Sequence, residues 1–366
     1  MKKTIACIAA AALVLAGAQA LPCGVEWSGT TMIAQALSEK GFEYTLLDDG
    51  TAEISGYTGK EASLTIPETL GGKKVTSIGE NAFYENTSIT SVTFPDSVSA
   101  INSNAFCGCE KLKKVTLPSK LETLDTFAFQ SCTALESISI PETVGRIGDY
   151  AFMDCTSLKA VNMKKGLAEI GDGSFWGCTS LDSVYIPNTV TYIGGSCFFG
   201  CTSLKDATIS GGVEIIGGSS FSCCGLEEVV INKGVKEIGP FTFDLCQDLT
   251  TVTIPKTVTS IDEDAFYGCS KFSTVKGYKG SYAEEYAKEN GLKFIPIEED
   301  GGRTPGDVND DDVVDIKDVT ILKQYLAKWN VTINTENADV DGDREVTIKD
   351  LTILKQYLAK WKVELK

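Results

Sequence analysis

No histidine occurs anywhere in the 366 residues. That absence removes Ser-His-Asp and Cys-His catalysis, histidine-ligated zinc and imidazole proton shuttling in one step. Cations are in deficit as well: 33 lysines and arginines stand against 50 aspartates and glutamates, a formal charge of -17. So acidic a chain does not suit nucleic acid or an anionic membrane. Beyond the first twenty residues no apolar run approaches the roughly eighteen that a membrane helix needs. A Gly-x-Ser-x-Gly nucleophile motif is missing too. The catalytic chemistry that remains is a carboxylate pair held about 5 to 10 Å apart, and the acids here are scattered over outward positions of a repeat.

What is present begins with an export signal. Lys2 and Lys3 precede an apolar run over residues 5–15 and then Ala18-Gln19-Ala20, the charged, apolar and small-residue order of a cleavable leader. Residues 1–20 are therefore read as a signal peptide, with the mature chain starting at Leu21 and secreted. Pro22 directly before Cys23 argues against a lipid-anchored cysteine, since a small residue is needed there.

Thirteen cysteines in an exported chain ordinarily imply a disulfide framework. Eight of them, Cys109, Cys132, Cys155, Cys178, Cys201, Cys224, Cys246 and Cys269, instead fall 23 residues apart with one interval of 22. Stacked one per coil, they cannot all pair with neighbours without straining the coil spacing, so they are read as buried thiols packing as small apolar groups. Cys197 and the Cys223-Cys224 pair are the places for an exception.

The cysteine period is that of the whole middle of the chain. Nine units beginning at Ile66, Phe94, Leu117, Ile140, Met163, Ile186, Ile209, Ile231 and Ile254 repeat Ile-Pro, Val, Ile-Gly, Ala-Phe, Cys, Leu and Val, with one insertion near residues 71–74 and one deletion near Gly225. Such a period is that of a leucine-rich-repeat solenoid, in which no unit buries its own apolar side and successive coils stack into one core. Gly148, Gly171, Gly194, Gly217 and Gly239, each after the repeat isoleucine, are assigned to a tight corner. The expected layout is an N-terminal segment and capping coil at 21–65, the solenoid at 66–276, and a C-terminal cap at 277–297 with a short helix over 281–290. A flexible linker follows at 298–303, then a separate module at 304–366.

Outward strand positions are mostly Ser, Thr and Asn, as at Ser137, Ser139, Asn162, Ser183, Thr208, Thr251 and Thr253. These residues suit any exposed strand and equally a ligand surface. A second series, Tyr84, Met153, Trp176, Phe199 and Tyr267, follows the repeat phenylalanine. Trp176 and Phe199 fall on adjacent coils and read two ways: as corner packing, or as a platform for a sugar ring or peptide side chain.

The last sixty residues state one pattern twice, thirty-two positions apart. Each copy offers oxygen ligands at positions 1, 3, 5 and 12 of a calcium loop. In the first these are Asp307, Asn309, Asp311 and Asp318, with the Val313 carbonyl and Asp315 between. In the second they are Asp339, Asp341, Asp343 and Asp350, with the Glu345 carbonyl and Thr347 between. Two Ca2+ ions are thus expected. Val319, Leu322, Tyr325, Leu326 and Trp329, and again Leu351, Leu354, Tyr357, Leu358 and Trp361, recur at helical spacing, so two amphipathic helices should bury one face each against the other.

The repeat unit resembles the treponemal, BspA-like class of leucine-rich repeats over about residues 42–297. Residues 304–366 resemble a type I dockerin, the calcium-binding module by which proteins of anaerobic polysaccharide-degrading bacteria plug into cohesin domains of a cellulosome scaffold. The resemblance implies an α+β chain: a solenoid of short strands in nine coils, then a small all-α dockerin with two calcium loops. It also implies a cohesin partner. Ile316-Lys317 and Ile348-Lys349 occupy the places of the cohesin-reading pair, and Lys323-Gln324 returns as Lys355-Gln356, so either half can face the partner. Position 6 departs from the family, with Asp312 and Arg344 where Gly supplies a positive φ; Arg there costs roughly 1 to 2 kcal/mol, so the second site is expected to bind more weakly. The resulting expectation is a secreted, cellulosome-associated protein whose solenoid recognises a protein or glycan and does not catalyse. The alternatives are an accessory polysaccharide hydrolase acting on O-glycosyl bonds, and a cell-surface adhesin.

Overall fold

The computed structural model describes residues 37–297, 305–308, 314, 316–328, 331, 333–359 and 365–366. The expected signal peptide, the linker, and Asn309, Asp311, Asp312, Val313, Asp315, Trp329 and Trp361 lie outside the described residues, as does the side chain of Lys317.

Each coil makes one strand of three or four residues, turns, threads a two-residue strand and returns through a run of tight turns. Register follows the repeat: Ser137 pairs with Ala160 and Ile140 with Met163 in parallel. Along Ser137–Ile140 exposed serines alternate with buried isoleucines, the period of two that a strand imposes. The longer strands form a five-stranded run from Ser63–Thr65 to Ala160–Met163 and a six-stranded run from Ser183–Tyr185 to Lys293–Pro296. The short strands make a second ladder, which parts between Ile215–Ile216 and Glu237–Ile238, the coils that flank the deletion near Gly225. The architecture is a β-solenoid with few helices.

Both ends are closed by atypical elements. At the first coil, strands Leu37–Glu39, Phe42–Leu46 and Ala52–Tyr57 form an antiparallel meander, and its last strand pairs in parallel with Lys73–Ile78. The insertion is a hairpin, Thr69–Leu70 against Lys73–Ile78, turned by Gly71 and Gly72 at φ +55° and +70°. At the far end α1 (Tyr282–Glu289) buries Ala283 and Ala287. Strand Lys293–Pro296 then pairs in parallel with Thr274–Gly277, adding a rung beyond the nine expected units.

A spine of phenylalanines runs through the core. Phe83, Phe106, Phe129, Phe152, Phe175, Phe198, Phe221, Phe243 and Phe266 stack coil on coil with centroids 4.7 to 5.6 Å apart and planes within 17°. Beside them the repeat cysteines are all free thiols. Each donates to the phenylalanine carbonyl of the preceding coil: Cys109 to Phe83 at 3.1 Å, Cys155 to Phe129 at 3.2 Å and Cys269 to Phe243 at 2.9 Å. A disulfide would remove that donor. Cys197, Cys223 and Cys224 are free as well, so the places suggested for an exceptional disulfide hold none.

The tight-corner reading of the repeat glycines needs correction. Gly148, Gly171, Gly194 and Gly217 are not in the left-handed region; a Cβ on Gly148 would lie 2.4 Å from the Asp125 carbonyl carbon, and one on Gly217 would lie 2.4 Å from the Gly195 nitrogen. Close approach of the previous coil excludes a side chain there. At Gly239, next to the parting of the short-strand ladder, nothing lies nearer than 3.8 Å.

Candidate functional site

The C-terminal module packs α2 (Ile316–Leu326) against α4 (Ile348–Leu358), with the short helix α3 (Thr335–Ala338) ahead of the second loop. Val308, Val319, Leu322, Ala338, Leu351 and Leu354 are buried between them. The helical stripe read from the sequence is thus inside at 319, 322, 351 and 354, with Leu326 and Leu358 half-buried. Tyr325 and Tyr357, assigned to the same stripe, are instead 37% and 42% exposed. A period of 3.6 carries them off the contact line by the third turn.

In the second loop Asp339, Asp341 and Asp343 each bring a carboxylate oxygen within 4.8 Å of the others. Oxygen donors converging from alternate loop positions suit a hard cation such as Ca2+. The loop is bent around them by its own amides. The Asp343 N–H donates to Asp339 Oδ1 at 3.1 Å, the Arg344 N–H to Asp339 Oδ2 at 2.9 Å and the Glu345 N–H to Asp343 Oδ1 at 2.9 Å. Arg344 pays for that bend, sitting at φ +73° where a Cβ is disfavoured. Asp350 is fully buried and accepts from the Thr347 N–H at 2.8 Å and the Asp341 N–H at 3.3 Å. Thr347 caps α4 in a capping box with Asp350. Lys349 is paired with Asp341 and Asp343; its hydrogen bond holds the Asp341 carboxyl below its usual range, and Asp341 raises Lys349 in return.

The first loop is described only at its ends. Asp307 and Asp318 are buried, and Asp318 Oδ1 accepts from the Val308 N–H at 2.7 Å, one loop position earlier than the Asp341 N–H that Asp350 accepts from.

The two halves present matching surfaces. Ile316 and Ile348 are 67% and 68% exposed. Lys323 and Lys355 are exposed, and Gln324 and Gln356 half-buried. Thr320 and Thr352 make the same bond to the carbonyls of Ile316 and Ile348, at 2.9 and 2.8 Å. The tyrosines at 325 and 357 add an aromatic to each patch, which the helical pattern alone placed inside.

On the solenoid, Trp176 and Phe199 are half-buried with ring centroids 4.5 Å apart and planes at 34°. Phe127 and Tyr150 stack similarly one position class away, at 5.2 Å and 13°. Rings packed along the solenoid axis turn their faces to each other and their edges outward. Tyr84 and Tyr267, in the same series as Trp176, are 49% and 63% exposed.

Comparison with known proteins agrees with these features. Residues 76–205 and 168–287 match the family model for the BspA type leucine rich repeat region, in six copies, and residues 305–359 match the dockerin type I domain. Similar solved structures include a leucine rich cell surface protein from Faecalibacterium prausnitzii, 25% identical over 69% of this chain and 97% of that one, with a TM-score of 0.38. The pneumococcal vaccine antigen PcpA is 20% identical over 66% and 81%, at 0.43. A leucine rich repeat protein from T. pallidum is 24% identical over 71% and 98%, at 0.36. No curated protein matches. The chain belongs to the BspA-type leucine-rich-repeat family and carries a C-terminal dockerin type I domain. A dockerin supports cohesin binding in a cellulosome-type assembly, and a leucine-rich repeat supports a recognition role.

Proposed function

We propose that this is a secreted recognition protein that attaches to a cohesin-bearing scaffold through calcium-loaded loops and presents its solenoid to a protein or glycan. The observation that carries the reading is the pair of equivalent isoleucines, Ile316 and Ile348, each two-thirds exposed where the other described valines, leucines and isoleucines of the module are buried or half-buried. Exposed apolar residues ringed by polar ones mark contact surfaces. Asp307, Asn309, Asp311, Asp315 and Asp318, with the Val313 carbonyl, hold one Ca2+; Asp339, Asp341, Asp343 and Asp350, with the Glu345 carbonyl and Thr347, hold the other. Calcium supplies charge neutralisation of the loops; the chain's own residues make the partner surface. Among the described residues no helix is long and apolar enough to cross a membrane. The solenoid is built from stacking repeats, and neither matching family model is that of a catalytic domain, which supports recognition over hydrolysis.

Capture of the full chain on a panel of cohesins from anaerobic scaffolds, with calcium, tests the reading. The I316A/K317A and I348A/K349A variants should each still bind, and the variant carrying all four changes should not. Failure of every cohesin to capture the unaltered chain overturns the attachment. Full loss from one pair overturns the equivalence of the two halves.

A further inference from the structure

The longer-strand face carries a shallow depression of about 530 Å3 across Lys114–Thr116, Ser137–Ile140 and Ala160–Met163. Its outward row is hydroxyl and amide, with Thr116, Ser139 and Asn162 in line and Ser137 beside them, while Leu117 and Pro141 make one end of the lining apolar; Val115, Ile138 and Val161 turn inward and are at most 8% exposed. Lys114 and Lys164 stand exposed at opposite corners, and no acid lines the depression. Two inter-strand steps across and four residues along put these corners roughly 16 Å apart. Glu136, between Lys113 and Lys159 in the ladder, lies outside the lining. In a chain of charge -17, a lysine-flanked surface without acids runs against the overall field.

One coil on, the same row continues at Tyr185, 42% exposed and the only aromatic in that row among the described residues. Beyond it the face becomes acidic at Asp206 and Glu228, which limits where an anion can extend.

We propose that this face binds acidic polysaccharide, a short run of uronate sugars. The inference deepens the recognition reading of the solenoid and rests on it. Carboxylates meet Lys114 and Lys164 in charge-assisted hydrogen bonds, ring hydroxyls exchange bonds with the Ser, Thr and Asn floor, and Tyr185 offers an apolar contact for one sugar. An acidic peptide is the competing occupant; the exposed row of hydroxyl and amide groups favours a polyhydroxylated ligand over one that binds chiefly through anchor side chains in apolar pockets. Charge complementarity of this kind sets specificity and is weakened by salt.

Isothermal titration of the full chain in calcium buffer with trigalacturonate tests the proposal. Binding should weaken as salt rises and fall at least about tenfold in K114Q/K164Q and in Y185A, with cohesin capture unchanged in both. Neutral cellotriose and triglutamate should not bind. The proposal is overturned by no binding of trigalacturonate, by undiminished binding in K114Q/K164Q, or by equal binding of cellotriose. Triglutamate binding with the same losses would reassign the face to an acidic peptide and overturn it too. If another ligand is retained equally by the unaltered chain and by K114Q/K164Q, the recognition reading stands and this site falls.

Discussion

The Lys349 ammonium lies 2.5 Å from Asp341 Oδ2 and 3.7 Å from Asp343 Oδ2. On the proposed reading, a lysine that contacts the cohesin also touches carboxylates that hold calcium, so cation and ammonium would draw on the same oxygens. Replacing Lys349 by Met keeps the stem and removes the charge. Calcium affinity of the second loop should rise about two- to fivefold, the scale on which an exposed ion pair acts, while cohesin capture through that half weakens. Calorimetric calcium titration of the full chain measures the first effect; an unchanged or lower affinity contradicts the competition.

Calcium should be required for the module to fold. Its buried apolar core is small, limited among described residues to Val308, Val319, Leu322, Ala338, Val340, Leu351 and Leu354 with seven half-buried neighbours, and six acidic residues fall within the first loop, at 307, 310, 311, 312, 315 and 318. Without a cation their repulsion opposes the loop, so binding and folding are one event. Chelation should remove the helical circular dichroism of α2 and α4 and make residues 304–366 protease-sensitive, leaving the solenoid signal. Helicity that persists after chelation contradicts this.

Trp176 and Phe199 should prove structural. Because their rings pack on each other, truncating either removes the neighbour's contact as well as its own. Trp176→Ala should lower solenoid stability by about 2 kcal/mol, less than a fully buried aromatic costs, and leave retention of a solenoid ligand intact after correction for folded fraction. Loss of ligand with an unchanged melting temperature would restore the platform reading.

The thiol ladder makes stability fall on the alkaline side. Burial pushes Cys109 from its ordinary 9.0 up to about 12, and raises Cys132, Cys178, Cys197 and Cys224 as well. Unfolded thiols ionise from about pH 9 while folded ones keep their protons, so the folded state binds more protons between those values. This contribution is complete below pH 9 and is lost as pH rises toward 12. Thermal melts in reductant from pH 8 to 10.5 should decline, and native thiol labelling among the described cysteines should favour half-exposed Cys223 and Cys269. A flat melting temperature across that range contradicts the linkage.

The repeat was legible because a solenoid translates sequence period directly into space: Phe152, Cys155, Leu158 and Val161 repeat in sequence and stack in the fold. Features that depend on two coils meeting were not legible. The short-strand ladder uses two residues per coil, too few to show a period. Gly148 looked like a corner, and only the approach of Asp125 reveals why a side chain is excluded. The hairpin at 69–78 and the strand after α1 arise where the repeat stops, so no neighbouring copy announces them. In the dockerin, the alternating acids at 339, 341 and 343 were visible in the sequence, and the structure brings their carboxylates together. The pairing of Lys349 with Asp341 and the exposure of Tyr325 and Tyr357 were not, because they depend on how the loop and helices lie against one another.

The ladder bonds between coils run along the axis of the stack, each coil held to the next by its own short set. Tension applied between the two ends would load these sets in series, as teeth of a zipper rather than rungs sharing a shear. Coils should therefore come away singly from an end, each releasing roughly 70 Å of chain as 23 residues straighten. If the domain is held between a scaffold and a ligand, as proposed, it yields by lengthening in steps, which caps the tension that the bond at either end must bear.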